Sequence, residues 1–202
     1  MSATGRGNAR SRARRVIGYN RLAMARNLLL SAPPGSGKTT ALIRAAGTLD
    51  QLRLGGFVTR EIREAGRRVG FCLLPFCGEP RIMAHRELVS RQRVGAYGVD
   101  VEMVDYVADT ALGARAAADL FVVDEIGAME CFSTRFVAAV RRLLDDPRPL
   151  IATVALRGEG LIAEVKARDD VELRQLTARN RDALPAELSA WARRAVGGRE
   201  DG

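Results

Sequence analysis

The chain has 202 residues, 47% of them hydrophobic, and its 32 basic and 24 acidic side chains give a formal charge of +8. That length and apolar content predict one globular α/β-sized domain with a sizeable core and exclude a disordered chain. No apolar run approaches the roughly 18–20 residues that a membrane helix needs, so the expectation is a soluble protein without membrane partners.

The charge is unevenly placed. Residues 1–26 contain seven arginines (Arg6, Arg10, Arg12, Arg14, Arg15, Arg21 and Arg26) and no acid, so removing them from +8 leaves only +1. The basicity therefore belongs to a tail, expected to be flexible, rather than to a face of the domain at 27–202. Three readings of the tail stay open: a solvated extension, an arm making weak contact with nucleic acid or an anionic surface, and an Arg-rich targeting peptide. A secretory signal is excluded, because no apolar stretch follows the arginines. Cys72, Cys77, Cys131 and the single histidine, His85, have spacings that suit neither a disulfide framework nor a zinc site. That usage suits a reducing compartment, with the cytoplasm as default. A monomer is expected.

In chain order, Leu28–Leu30 is an all-apolar strand entering a Gly/Pro-rich turn, and a helix follows from Lys38 to about Asp50. Gly56–Arg63 and Arg67–Phe76 read as a hairpin around Ala65-Gly66. Glu79–Gly95 is ambiguous, with a short strand at Ile82 and then loop. A helix is expected from Asp100 to Ala118, with Val101, Val104, Ala108 and Leu112 as its inner stripe. Leu120–Val123 is a second apolar strand, ending in Asp124-Glu125. Ser133 caps a helix whose apolar positions are Phe136, Val137, Val140, Leu143 and Leu144; Pro147 and Pro149 end it. A strand at Leu150–Leu156, a helix at Leu161–Ala167, a strand at Val171–Leu176 and a helix from Pro185 complete the series. Strands alternating with helices predict a mostly parallel sheet with helices on both faces, interrupted by one β-hairpin insertion.

The run Ala32-Pro33-Pro34-Gly35-Ser36-Gly37-Lys38-Thr39, with Thr40 after it, fits the P-loop pattern between a strand and a helix, except that Ala32 replaces the first glycine. Backbone N–H groups at a helix start can converge on a phosphate, and Gly35 and Gly37 let the backbone approach it. Lys38 supplies a point charge for the β- and γ-phosphates, and the Thr39 hydroxyl is a candidate Mg²⁺ ligand. Of the 32 basic residues only Lys38 and Lys166 are lysines. In an arginine-rich chain, a lysine at this position marks a site where a planar fork fits poorly. An alanine at position 32 is tolerable where its φ stays negative.

The apolar strand ending in Asp124-Glu125 predicts the second half of the site. Ligands of open α/β sheets gather at the carboxyl ends of the strands. There Asp124 can hold Mg²⁺ directly or through water, and Glu125 is the candidate general base. The bland alternative is a solvated helix-capping pair.

With these motifs in hand, the sequence resembles the THEP-type (cancer-related) nucleoside-triphosphatase family. The resemblance rests on the P-loop; on Gly56–Arg63 with Arg68–Phe71; on Val94–Asp100; on Asp124–Glu130; and on Thr177–Asp182, all in the family's order. It implies a three-layer P-loop NTPase fold and Mg²⁺-dependent hydrolysis of ATP, GTP, CTP and UTP with loose base preference. It also implies that Ala32–Thr39 and Leu120, Phe121, Val122, Val123, Asp124, Glu125, Ile126 and Gly127 line the nucleotide. Ala32, and Ala128 where lysine or proline often stands, depart from the family's pattern.

Arg60, Arg63, Arg157 and Arg181 are candidates to meet transition-state charge, against the ordinary reading of surface arginines. Thr177, Asn180 and Arg181 are read as either base contacts or a capped turn. Tyr97 and Asp100 are candidates for a second pocket, with a half-buried core position as the alternative for Tyr97. No Asn-Lys-x-Asp guanine reader is present. Two other functions remain open: a nucleoside or nucleotide kinase with an acceptor pocket at the hairpin, and a nucleic-acid-associated ATPase switch using the tail.

Overall fold

The computed structural model describes residues 25–113 and 116–198. The readings attached to residues 1–24 lie outside that range. Among the described residues nine strands form one sheet: β1 (Asn27–Ser31), β2 (Leu54–Glu64), β3 (Arg67–Pro75), β4 (Arg81–His85), β5 (Arg93–Val94), β6 (Tyr97–Val99), β7 (Leu120–Ile126), β8 (Leu150–Val154) and β9 (Val171–Gln175), in the order β5-β6-β4-β3-β2-β7-β8-β1-β9. The helices are α1 (Lys38–Ala46), α2 (Val101–Ala111), α3 (Thr134–Asp145), α4 (Leu161–Ala167) and α5 (Leu184–Gly197), with a 3₁₀ turn at Glu130–Phe132.

Strands β2-β7-β8-β1-β9 are parallel, and their covered faces explain the continuous apolar runs. Alternate side chains feed two cores. Leu28, Leu30, Val122 and Ile151 pack with Leu42 of α1 and with Leu188 and Trp191 of α5. Leu29, Phe121, Val123 and Ala152 pack with Val104 of α2, Phe136 and Val140 of α3, and Val165 of α4. The result is the expected three-layer α/β fold. Among the described residues no helix is long and apolar enough to cross a membrane.

The insertion is larger than one hairpin. β3, β4, β6 and β5 extend the sheet antiparallel beyond β2. The β2–β3 turn places Ala65 at φ +46° and Gly66 at φ +77°, both on the left-handed side that a tight hairpin requires. β5 and β6 are two and three residues long, too short to show a period, and so they leave no strand signal in the sequence. The helix after Asp100 stops at Ala111 rather than Ala118. Gly113 follows it, and Asp119 is already fastened to the entry of β2, its N–H donating to Arg53 O (2.8 Å) and its carboxylate taking the Arg53 guanidinium (2.7 Å). α1 ends at Ala46 and Gly47, short of Asp50.

Ser133 is fully buried. Its Oγ accepts the Phe136 N–H (2.8 Å) at the start of α3 and donates to Asp105 of α2, so one hydroxyl caps a helix and ties two together. Ser133→Ala is expected to lower stability by about 1–2 kcal/mol, read as a shift of the urea midpoint at unchanged slope. An unmoved midpoint would show that the cap is dispensable.

Candidate nucleotide site

β1 ends in the buried Ser31, and the loop from Ala32 opens directly into α1. Gly35 (φ +74°) and Gly37 (φ +96°) lie in the left-handed region, while a Cβ at either would meet nothing; the backbone conformation, not space, demands glycine. Ala32 is buried, and Ala65 is the only non-glycine among the described residues with positive φ. The alanine at the loop's entrance is therefore unstrained. Pro33, Pro34, Gly35 and Thr40 are exposed, and Ser36, Gly37 and Thr39 half-buried. Ser36 Oγ is enclosed without a hydrogen-bond partner among the described residues.

Lys38 is 7% exposed and folds back along the loop. Its Nζ donates to Ala32 O (2.9 Å) and stands 3.5 Å from Glu125 Oε2, so the loop and the end of β7 meet through one ammonium.

Asp124 is fully buried and held from both neighbouring strands. Oδ1 accepts the Thr153 hydroxyl of β8 (2.6 Å), Oδ2 accepts the Thr59 N–H of β2 (3.3 Å), and the Thr59 hydroxyl donates to Asp124 O. Glu125 is half-buried. Burial pushes its carboxyl above the usual range, against the pull of Lys38. Glu130, 5% exposed, is pushed up to about 8, chiefly by burial. Gly127 lies between these two acids: a Cβ there would fall 2.9 Å from Glu130 Oε2 and 3.7 Å from Glu125 Oε1.

Lys166 reaches the same edge from α4. Its Nζ donates to Leu156 O (2.9 Å) and to Ala155 O, and its charge interacts with Glu125 and Lys38. Both lysines of the chain thus converge here. Sequence alone counts Lys166 without placing it; the excess of arginine over lysine is the one signal that points to it.

Other candidates separate. Leu120, Phe121, Val122, Val123 and Ile126 are packed in the two cores, leaving Asp124, Glu125 and Gly127 of that run for the edge. Asn180 is spent on its own turn: Oδ1 accepts from Thr177 N (2.8 Å) and Thr177 Oγ1 (3.1 Å), and Nδ2 donates to Gln175 O (2.9 Å). Arg181 is exposed, 3.8 Å from Asp182. Arg63 is held by Glu61 (2.6 Å) and by Gly66 O (3.0 Å). Arg60 and Arg157 are exposed, and the structure gives neither guanidinium a hydrogen bond or ion pair among the described residues.

Tyr97 and Asp100 are both half-buried. Tyr97 packs edge-on against Phe71 on the antiparallel extension and accepts a hydrogen bond from Arg68 (3.1 Å). Asp100 is the N-cap of α2, accepting from Met103 N (3.1 Å). Cys72, Cys77 and Cys131 are free, and no group of three or more His, Cys, Asp or Glu suited to a metal occurs among the described residues.

A strand, a glycine-rich loop opening a helix at a buried lysine, and a clamped acid at the end of the next strand but one define a P-loop NTPase. A protein-family model described as NTPase matches residues 27–189. The chain belongs to this nucleoside-triphosphatase family. It is 38% identical over 162 residues to nucleoside-triphosphatase THEP1 of Thermotoga petrophila, covering 80% of this chain and 89% of the relative. It is 33% identical over 186 residues to the cancer-related nucleoside-triphosphatase homolog of Bos taurus, covering 82% and 95%. The crystal structure of THEP1 from Aquifex aeolicus superposes with a TM-score of 0.74 at 29% identity, covering 82% of this chain and 98% of the other. The solution structure of a human cancer-related nucleoside triphosphatase does so with 0.70 at 32%, covering 83% and 97%.

Proposed function

We propose that the chain hydrolyses nucleoside triphosphates to diphosphate and phosphate, with Mg²⁺ and loose base preference. The observation that carries this reading is the contact of Lys38 with the half-buried Glu125 beside the clamped Asp124, which supports an ammonium for phosphate and a carboxylate for water at one sheet edge.

In this reading the N–H groups of the 32–40 loop and the start of α1 hold the β- and γ-phosphates, and Lys38 divides its charge between them and Glu125. Glu125 orients the attacking water and accepts its proton; the upward pull on its carboxyl moves it toward the pKa that a base working near neutrality needs. Asp124 keeps lone pairs beyond its two hydrogen bonds, and Thr39 offers a hydroxyl in the first turn of α1, a hard oxygen set that fits Mg²⁺ retaining several waters. The ion, when bound, supplies charge neutralisation on the β- and γ-oxygens.

The turn at 177–181 supports the reading of loose base preference. It leaves β9 beside the P-loop strand, with Leu176 N donating to Ser31 O (3.1 Å). Yet its one amide side chain is consumed internally. A base resting there would meet backbone and Arg181 rather than a dedicated reader.

The test is phosphate release from ATP, GTP, CTP and UTP, with Mg²⁺ and with chelator. Comparable turnover of several bases, lost on chelation, is the expected result. Nucleotide that binds without releasing phosphate, until a nucleoside acceptor is added, would move the kinase reading ahead.

A further inference from the structure

β8 lies between β7 and β1, so the segment that leaves it emerges between the Asp124-Glu125 end and the P-loop. Its first residue is still in the sheet's hydrogen-bond pattern, Ala155 N donating to Ile126 O (3.1 Å). The next stretch is pinned at two points. Lys166, in the last turn of α4, gives two of its three N–H bonds to the consecutive carbonyls of Ala155 and Leu156. At the far side Gly158 (φ +157°) lies so close to α4 that a Cβ would fall 2.6 Å from Ile162 Cδ1. Between these pins stands Arg157, exposed and without a hydrogen bond or ion pair among the described residues.

The choice of cation matches each position. A compact ammonium with rotatable donors can serve two adjacent carbonyls, whereas a planar guanidinium is suited to charge spread over phosphate oxygens. A chain that uses arginine almost everywhere keeps lysine at the pin and arginine at the tip. Arg63, by contrast, is already held by Glu61.

We infer that residues 155–160 form a strap that lays the Arg157 guanidinium on the terminal phosphate, with Lys166 as the positioning residue that holds the strap at the site. The inference rests on the reading that the P-loop holds a triphosphate. The strap adds the cation that phosphoryl transfer needs beyond Lys38: two guanidinium N–H groups meet γ-oxygens whose share of charge changes as the bond to the leaving diphosphate breaks.

Three variants of the full chain test it: Arg157→Ala, Lys166→Met and the double variant. Arg157→Ala is expected to lower kcat on the order of 10²–10³-fold while nucleotide affinity changes by less than about threefold. Lys166→Met should lower kcat in the same sense, Lys166→Arg should restore part of it, and the double variant should be no slower than Arg157→Ala alone. A second reading is independent of turnover. Trypsin cleaves after Arg157, and a non-hydrolysable ATP analogue is expected to slow that cut in the wild type and not in Lys166→Met. Multiplicative losses in the double variant, wild-type turnover in Arg157→Ala, or cleavage indifferent to the analogue would each overturn the strap. A wild-type chain whose cut is slowed by the analogue but which releases no phosphate would support the strap and sink the hydrolase reading.

Discussion

Glu125→Gln is expected to bind nucleotide nearly as the wild type does and to release phosphate about 10²–10⁴-fold more slowly, the range that a positioned general base contributes. The substitution keeps the size of the side chain and an oxygen toward Lys38, 3.5 Å away, but cannot take a proton from water. Lys38→Ala should behave differently. It removes the ammonium that contacts both Ala32 O and Glu125, so it weakens binding as well as turnover. The pH profile carries a further signature. The Glu125 carboxyl is pushed up by burial, so the wild-type rate should fall as pH drops through that raised value, while the small residual rate of Glu125→Gln should lack this limb. Equilibrium titration with a fluorescent nucleotide and single-turnover phosphate release separate the two effects. Full turnover in Glu125→Gln would remove Glu125 from the proton step and leave water orientation to another group.

Local chemistry was legible in the sequence wherever neighbours in the chain do the work together. The P-loop is such a case: strand, glycines, lysine and helix are contiguous, and the negative φ of Ala32 shows why an alanine fits at the loop's entrance without backbone strain. Asp124 was legible from the four apolar residues before it, because a strand buried on both faces must end at a sheet edge. What holds Asp124 was not. Thr59 and Thr153 reach it because β2 and β8 flank β7, and strand order is a tertiary fact that no spacing announces. Lys166 was hidden for the same reason, being brought to the edge by the return of α4 toward the end of β8. Asn180 shows the opposite limit. Its residue type fitted a base contact and a capped turn equally, and it takes the strand order and the turn's own bonds to show the capped turn.

Glu130→Gln is expected to gain stability over the wild type as pH rises, by an amount on the order of 5 kcal/mol at pH 9. In the folded chain burial pushes this carboxyl up to about 8 from an ordinary 4.5. The N–H groups of Gly127 and of Glu130 itself favour the ionised form, and the carboxylates of Glu125 and Asp124 oppose it. Below pH 4.5 the group is protonated in both states and contributes no slope. Between 4.5 and 8 the unfolded chain has released the proton while the folded chain keeps it, so stability falls with rising pH. Above 8 both states are ionised, and the folded state carries the whole cost of a buried charge. The amide that Glu130→Gln introduces has no proton to lose, so the variant's stability curve should lack this fall. Urea unfolding at about pH 5, 7 and 9 compares the two slopes. Equal slopes would mean that the carboxylate is ionised and compensated in the fold already at neutral pH. The same geometry bears on the reaction: a neutral Glu130 at neutral pH spares the edge a third negative charge beside Asp124 and Glu125, where a polyanion must approach. Turnover at neutral pH should therefore survive Glu130→Gln, in contrast to its loss in Glu125→Gln, although the two acids flank the same glycine.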